Sequence, residues 1–439
     1  MGVCASRFLW DNPEVGGTEA VSSDYFRNIL KEEGFTIVNN EKLPYAFYAE
    51  YGEGKPVLAL LGEYDALPAL SQKVSAEKEP VEAGKAGHGC GHNLLGSGSL
   101  MAAVAIKRSI EKGAFSGTVR FYGCPEEELL CGKVKMIYYG MFEGVDAALS
   151  WHPMSTTQIY DEAFLASAAA KFHFKGLSSH AGFAPELGRS ALDAVELMNV
   201  GCNYLREHVE DKIRIHYTTD NYGYPPNIVP DKATAWYCLR GPRMDSVTDV
   251  LRRIELCAKG AAMMTETEVE VEILSGCTEL NPNKAFSDLT FKNMQQVNIP
   301  EYTDEELAFA KELQAKLNPA LLAKAENAVG APGKAMVPDV CDRYFSDKNP
   351  ILASSDSGDV SMIMPMNYFA ATCMPIGVAP HTWQATAAVG SSLGEKGMIY
   401  AAKVIAGCAY DLYTDPDKLA AIKKEFEDNK PDYTPMYEE

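Results

Sequence analysis

Eight histidines are few for a chain of 439 residues, and their neighbours tell them apart. His88 and His92 lie in Gly87-His88-Gly89-Cys90-Gly91-His92-Asn93, a glycine-rich turn that leads into a helix. Glycine lets the backbone fold tightly enough for Cys90 and His92 to point at one spot. A thiolate and an imidazole separated by one residue suit a transition metal. Read alone, the same segment is a tight turn around a buried cysteine.

A second candidate is Tyr122-Gly123-Cys124-Pro125-Glu126-Glu127-Glu128, directly after a short apolar run. Adjacent carboxylates can divide labour, one binding a cation and the other acting as general base. The bland reading is a solvated acidic turn, but Leu129-Leu130 and the apolar run on either side argue for partial burial. His152 follows the run 147–151, and His381 follows 368–376 through a short Gly/Pro loop. Each alone would be a structural histidine. Together Cys90, His92, one glutamate, His152 and His381 supply sulfur, nitrogen and oxygen ligands from separate strand ends, enough for two metal ions that share a bridge. Asp65, in Gly62-Glu63-Tyr64-Asp65-Ala66-Leu67-Pro68, either orients a ligand histidine from behind or caps a turn before Pro68.

These residues need a scaffold that brings strand ends together. From 55 to 153, short apolar runs (57–61, 118–122, 147–151) alternate with helical text, including a long helix beginning near 94, which predicts an α/β domain with a mostly parallel sheet flanked by helices. Loops at the carboxyl ends of such strands form the ligand crevice. From 165 to 276 the order changes to strand (168–174), helix (189–209), strand (213–218), strand (233–239), helix (244–264), strand (268–274), the split βαβ order of a ferredoxin-like module. A charged helix over 305–322, a loop-rich stretch to 349, a strand at 368–376 and a long helix at 391–410 then resume the first style. The expected organisation is a discontinuous catalytic domain, 1–165 and 279–439, interrupted by an inserted domain, 166–278. No repeat with a period of about 20 to 50 residues is present, which excludes a solenoid or propeller.

Composition removes other classes. Forty basic against sixty acidic residues give a net charge of -20, which repels phosphate backbones, so nucleic acid is not an expected partner. No apolar run reaches the roughly 18 residues of a membrane span, and residues 1–23 lack the basic-then-apolar order of a signal peptide. Eleven scattered cysteines, an odd number, suit a reducing compartment. A cytoplasmic protein without membrane contact is expected.

As a set, Gly-Glu-Tyr-Asp-Ala-Leu-Pro (62–68), Gly-His-Gly-Cys-Gly-His-Asn (87–93), Gly-Cys-Pro-Glu-Glu-Glu (123–128), Trp-His-Pro (151–153), Ser-Ser-His-Ala (178–181) and His-Thr-Trp-Gln (381–384) are specific, and they run in family order. The chain resembles metallopeptidase family twenty, the aminoacylase and glutamate carboxypeptidase group, in its amidohydrolase branch. That resemblance covers nearly the whole chain and implies a dinuclear metal site and an inserted domain that serves as lid and dimerisation surface. Carried over by motif, Cys90 would bridge two divalent ions, manganese or zinc, with His92 and His152 on one and Glu128 and His381 on the other. Glu127 would be the general base and Asp65 would stand behind the ligands. His180 would reach a neighbouring subunit's site and stabilise the oxyanion, and Asn227 and Arg240 would bind substrate. The implied substrate is a small N-acyl amino acid or an aminobenzoyl-glutamate-like amide, handled by a homodimer or by a heteromer with a related subunit. A dipeptidase and a noncatalytic partner subunit are the competing readings. Two departures stand out: Glu126 occupies a position where the family usually has a small residue, so the Glu-Glu frame could start one residue earlier, and Leu129-Leu130 replace a common pair of glycines. Keeping Glu127 and Glu128 leaves Gly132-Lys133 at the expected distance.

Overall fold

A computed structural model describes residues 1–341 and 353–437. Part of the expected loop-rich stretch before 349 therefore lies outside the described residues. The chain forms two compact units, one of Met1–Glu162, Asn281–Asn349 and Val360–Tyr433, the other of Ala163–Leu280, Pro350–Asp359 and Thr434–Glu439.

The first unit is built on a seven-stranded sheet in the order Thr36–Asn40, Leu43–Glu53, Gly117–Cys124, Val57–Glu63, Ala147–Met154, Met366–Thr372, Gln158–Ile159. The inner strands Gly117–Cys124, Val57–Glu63, Ala147–Met154 and Met366–Thr372 run parallel, as expected. The outer ones pair antiparallel, so the sheet is mixed. Every residue of Val57–Glu63 and Met366–Thr372 is buried, which is what continuous apolar text in a doubly covered sheet produces. The helices His92–Glu111 and Ser392–Thr414 pack on each other and on inner strands. Gly96 makes the close approach possible: a Cβ there would sit 2.4 Å from the Glu63 carbonyl oxygen. Phe26 stacks edge-on against both Tyr64 and Phe121, each at 5.7 Å between ring centroids, filling the core beneath the same strand ends.

The single charged helix expected over 305–322 is two helices, Asp304–Gln314 and Pro319–Ala328. Pro319 has no N–H to continue the first helix and pushes Asn318 out of helical geometry, where its side chain caps the second by accepting from Ala320 and Leu321.

The second unit follows the predicted strand and helix order. Its four-stranded antiparallel sheet runs Glu268–Cys277, Ala166–Lys175, Lys232–Gly241, Arg214–Asp220, with helices Ala191–Leu205 and Met244–Thr265 packed on it. The inward positions of these elements form a core of their own, from Phe172 and Tyr237 to Val247 and Ile254. Among the described residues, no helix is long and apolar enough to cross a membrane.

The contact at Gly96 yields a stability prediction. Gly96→Ala must displace either the helix or the strand that ends at Glu63, at a cost of about 2–3 kcal/mol. Urea unfolding of the metal-free protein should show a lower midpoint, and an unchanged midpoint would mean that the helix does not rest on the strand as described.

Candidate metal centre

Carboxyl ends of the inner strands, and the turns after them, deliver the candidate residues. Glu63 ends its strand and Asp65 follows two residues on; Glu127 and Glu128 follow Gly117–Cys124; His152 lies near the end of Ala147–Met154; and His381 follows Met366–Thr372. Gly91, at φ +84°, caps the helix that starts at His92, a backbone angle that glycine takes without strain. Cys90 and His92 thereby enter the site from either side of it.

Three sets of side chains converge, each with ligand atoms mutually within 4.8 Å: Cys90, His92 and His152; Cys90, Glu128 and His381; and Glu63, His92 and Glu127. Cys90 belongs to two of them. Its Sγ lies 3.4 Å from His152 Nε2. His152 donates its Nδ1 proton to the Pro153 carbonyl at 3.0 Å, which leaves the Nε2 lone pair facing the thiol. His92 Nδ1 is 2.8 Å from Asp65 Oδ1, so that nitrogen carries the proton and Nε2 is the free donor atom. Asp65 Oδ2 accepts the backbone N–H of Glu128 at 2.8 Å. On the other side, Glu128 Oε2 lies 3.3 Å from His381 Nε2. Glu127 Oε2 stands 3.7 Å from His92 Nε2, whereas Glu126 is turned away toward Lys135 and Cys131. His88 is buried but stands apart, donating Nε2–H to the Leu9 carbonyl at 3.1 Å; burial depresses its pKa to about 3, so it is a neutral structural residue.

Electrostatics show what the site lacks in protein atoms alone. Burial pushes the Cys90 thiol well up and Glu128 up to about 7. Burial also drives His152 down to about 4. Burial opposes charge on His92 too, yet Cys90 and Asp65 beside it hold its pKa well above the usual value. His92 Nε2, Glu128 Oε1 and Glu63 Oε2 are buried without a hydrogen-bond partner. Such atoms are costly unless a cation satisfies them.

The charges balance on the same assumption. Glu63, Asp65, Glu127, Glu128 and a Cys90 thiolate carry five negative charges, and Lys133, 2.7 Å from Glu63 and fully buried, offsets one. Nearby Glu126 is matched by Lys135, and burial followed by the Asp65 charge raises Glu19 to about 8, which disfavours charge on it. The remaining deficit among the described residues equals two divalent cations, and the sulfur, nitrogen and oxygen donor set fits them.

Sequence reasoning passes over Glu63 and uses Lys133 only as a spacing marker. A signal was present: a carboxylate ending an otherwise apolar, doubly covered strand needs a cationic partner. Lys133 overrides the effect of burial and keeps Glu63 below the ordinary carboxylate range.

The remaining sequence candidates belong to the second unit. His180 is exposed in the short strand Ser179–His180, opposite Ile228, and the Asn227 carbonyl accepts the Ala181 N–H at 3.0 Å, so His180 and Asn227 are neighbours. His180 Nδ1 accepts the Gly182 N–H at 3.2 Å, which places the ring proton on Nε2. Arg240 lies on the central strand Lys232–Gly241, opposite Ser167 and Arg214.

Comparison with known proteins identifies the family. A profile of Peptidase family M20/M25/M40 matches residues 59–349. The chain is 39% identical over 446 residues to a subunit of the p-aminobenzoyl-glutamate hydrolase of Escherichia coli (strain K12), covering 98% of this chain and 93% of that one. It is 27% identical to the Xaa-Arg dipeptidase of Mus musculus, covering 96% and 88% respectively. Among solved structures it shares the fold of an aminohydrolase from methicillin-resistant Staphylococcus aureus, with a TM-score of 0.65, 18% identity and coverage of 94% and 96%. It also shares that of a dinuclear metal-binding peptidase of the M20 family from Bacillus subtilis, with a TM-score of 0.60, 17% identity and coverage of 94% and 97%. The profile spans most of the site and the E. coli relative spans nearly the whole chain, so this protein belongs to peptidase family M20/M25/M40.

Proposed function

We propose that this protein hydrolyses the amide bond of a small N-acyl amino acid or an aminobenzoyl-glutamate-like substrate, using two divalent cations, manganese or zinc. The observation that carries the reading is the position of Cys90 in both ligand sets, with Glu127 beside them. Cys90, His92 and His152 would hold one cation, and Cys90, Glu128 and His381 would hold the other. When bound, the ions polarise the scissile carbonyl and lower the pKa of a water.

The protein's own groups do the rest. Asp65 fixes the His92 tautomer and holds the backbone of Glu128. Glu127 takes the proton from the attacking water and delivers it to the leaving amine. The Nε2–H of His180 donates to the developing oxyanion, a role supported by the tautomer that Gly182 imposes. Arg240 and Asn227 hold the substrate carboxylate.

The second unit serves as lid and dimerisation surface. Its two helices leave Val200, Tyr204, Leu256 and Met263 half exposed or more, an apolar surface that supports self-association. A related chain is the alternative occupant: the E. coli relative is named as one subunit of its hydrolase, and another subunit of the same name is itself 28% identical to this chain over 243 residues. That naming also favours, as second reading, a noncatalytic partner subunit. Metal retained without turnover of any amide would support it. Eleven cysteines scattered along the chain, an odd number, fit a cytoplasmic location.

The screen that tests the function is elemental analysis of the purified protein together with hydrolysis assays on aminobenzoyl-glutamate, N-acyl amino acids and dipeptides. Cys90→Ser should lose most of its metal and activity; full metal and normal turnover would overturn the bridging assignment. Glu127→Gln should keep both metals and lose kcat by about 10²–10⁴-fold, whereas Glu128→Gln should weaken metal binding. If those phenotypes belong instead to Glu126 and Glu127, the frame is off by one residue.

The lid assignment predicts a kinetic split. Arg240→Ala should raise KM by about 10- to 100-fold with little change in kcat, and His180→Ala should lower kcat by about 10²–10³-fold. Mixed Glu127→Gln and His180→Ala subunits should regain activity, because a hybrid dimer holds one site with both groups intact. No recovery despite proven subunit exchange would mean that His180 does not act across subunits.

A further inference from the structure

The catalytic loop is held from a part of the chain with no ligand in it, the N-terminal segment Glu14–Glu19. The loop needs holding, because Glu126 sits at φ +59°, a left-handed conformation that residues other than glycine and asparagine rarely adopt. That turn of the backbone sends Glu126 toward Lys135 and leaves Glu127 and Glu128 facing His92 and His381.

Glu19 is fully buried, and its Oε1 accepts the Glu126 backbone N–H at 2.7 Å. The preceding residues reach the same loop by packing: a Cβ on Gly16 would lie 3.0 Å from Leu129 Cγ and 3.4 Å from Glu126 Cα. The segment is anchored at its other end. The Glu14 carbonyl accepts the Ala66 N–H at 2.7 Å, next to Asp65, and the Glu14 carboxylate accepts the N–H groups of Val21 at 3.0 Å and Ser22 at 2.8 Å at the start of the helix Ala20–Glu32. Asp65 in turn holds the Glu128 N–H. The loop 126–128 is thus gripped at both ends by carboxyl groups, Glu19 at Glu126 and Asp65 at Glu128, with Glu127 between them.

We propose that Glu19 is a positioning residue: by holding the Glu126 amide it maintains the left-handed turn that aims Glu127 at its proton-transfer position. The kinetic consequence rests on Glu127 being the general base, whereas the grip on the turn does not. Among the described residues no hydrogen bond or ion pair joins Glu19 to a proposed ligand, so its loss should misplace the base and leave the cations. An amide oxygen in the same place can accept the same N–H.

Glu19→Gln and Glu19→Met separate the acceptor from the bulk, since methionine fills the space but offers no oxygen. The glutamine variant should keep kcat within about fivefold, and the methionine variant should lose about 100-fold in kcat with KM nearly unchanged. Both should retain the wild-type metal content by elemental analysis. Amide hydrogen exchange of the peptide covering 126–128 should speed up in the methionine variant alone, a readout that holds even if wild-type protein cleaves no amide tested, which would instead count against the proposed function. Wild-type kcat and exchange in the methionine variant, or equal losses in the two variants, would overturn the proposal. Should the methionine variant not fold, the glutamine variant decides: accelerated exchange of that peptide or a 100-fold loss of kcat refutes the acceptor role, and near-wild-type values uphold it.

Discussion

Asp65 has two carboxylate oxygens and places each on a different arm of the site. Oδ1 takes the ring proton of His92, at the start of a helix; Oδ2 takes the backbone N–H of Glu128, on the loop after a neighbouring strand. Asp65 is itself buried, where an unpaired carboxylate is costly, so neither arm can move without exposing that cost. The first contact decides which nitrogen of His92 is free to bind a cation. The second sets the distance between the glutamate pair and the histidines. The strands and helices of the first unit serve to bring Asp65 to where both partners can be reached at once.

The same concentration of acid makes the centre unstable as bare protein. Burial, with repulsion from neighbouring carboxylates added to it, displaces Cys90 and Glu128 upward. Lys133 relieves part of the excess through Glu63. With the Lys133 ammonium at the back, two divalent cations at the front would leave the site neutral. Cation binding and folding stability are therefore linked, since ions that bind the folded form shift the equilibrium toward it.

Much of this was legible in the sequence because the inner strands are continuous apolar text, and the residues after them are of types that bind or move protons. Cys90, His92, Glu127, Glu128, His152 and His381 could be singled out by type and by position after a strand. Other features left weaker marks. The antiparallel hairpin Thr36–Asn40 and Leu43–Glu53 lies at the sheet edge, is half buried and carries charged residues, so its period is blurred. The break at Pro319 was written in the sequence but outweighed by helical periodicity on both sides. Glu19 and Glu63 act by burial and by partners distant in sequence, Glu126 and Lys133, and spacing alone cannot disclose such contacts.

The central claim is a pair of cation sites that share one thiolate. Spectrophotometric titration of metal-free protein with Co²⁺ tests it directly, because a thiolate bound to cobalt gives a charge-transfer band that carboxylates and imidazoles do not. The account predicts that this band grows through about two equivalents per chain and is absent in Cys90→Ser. A band complete at one equivalent, with further cobalt binding silently or not at all, would contradict a shared Cys90.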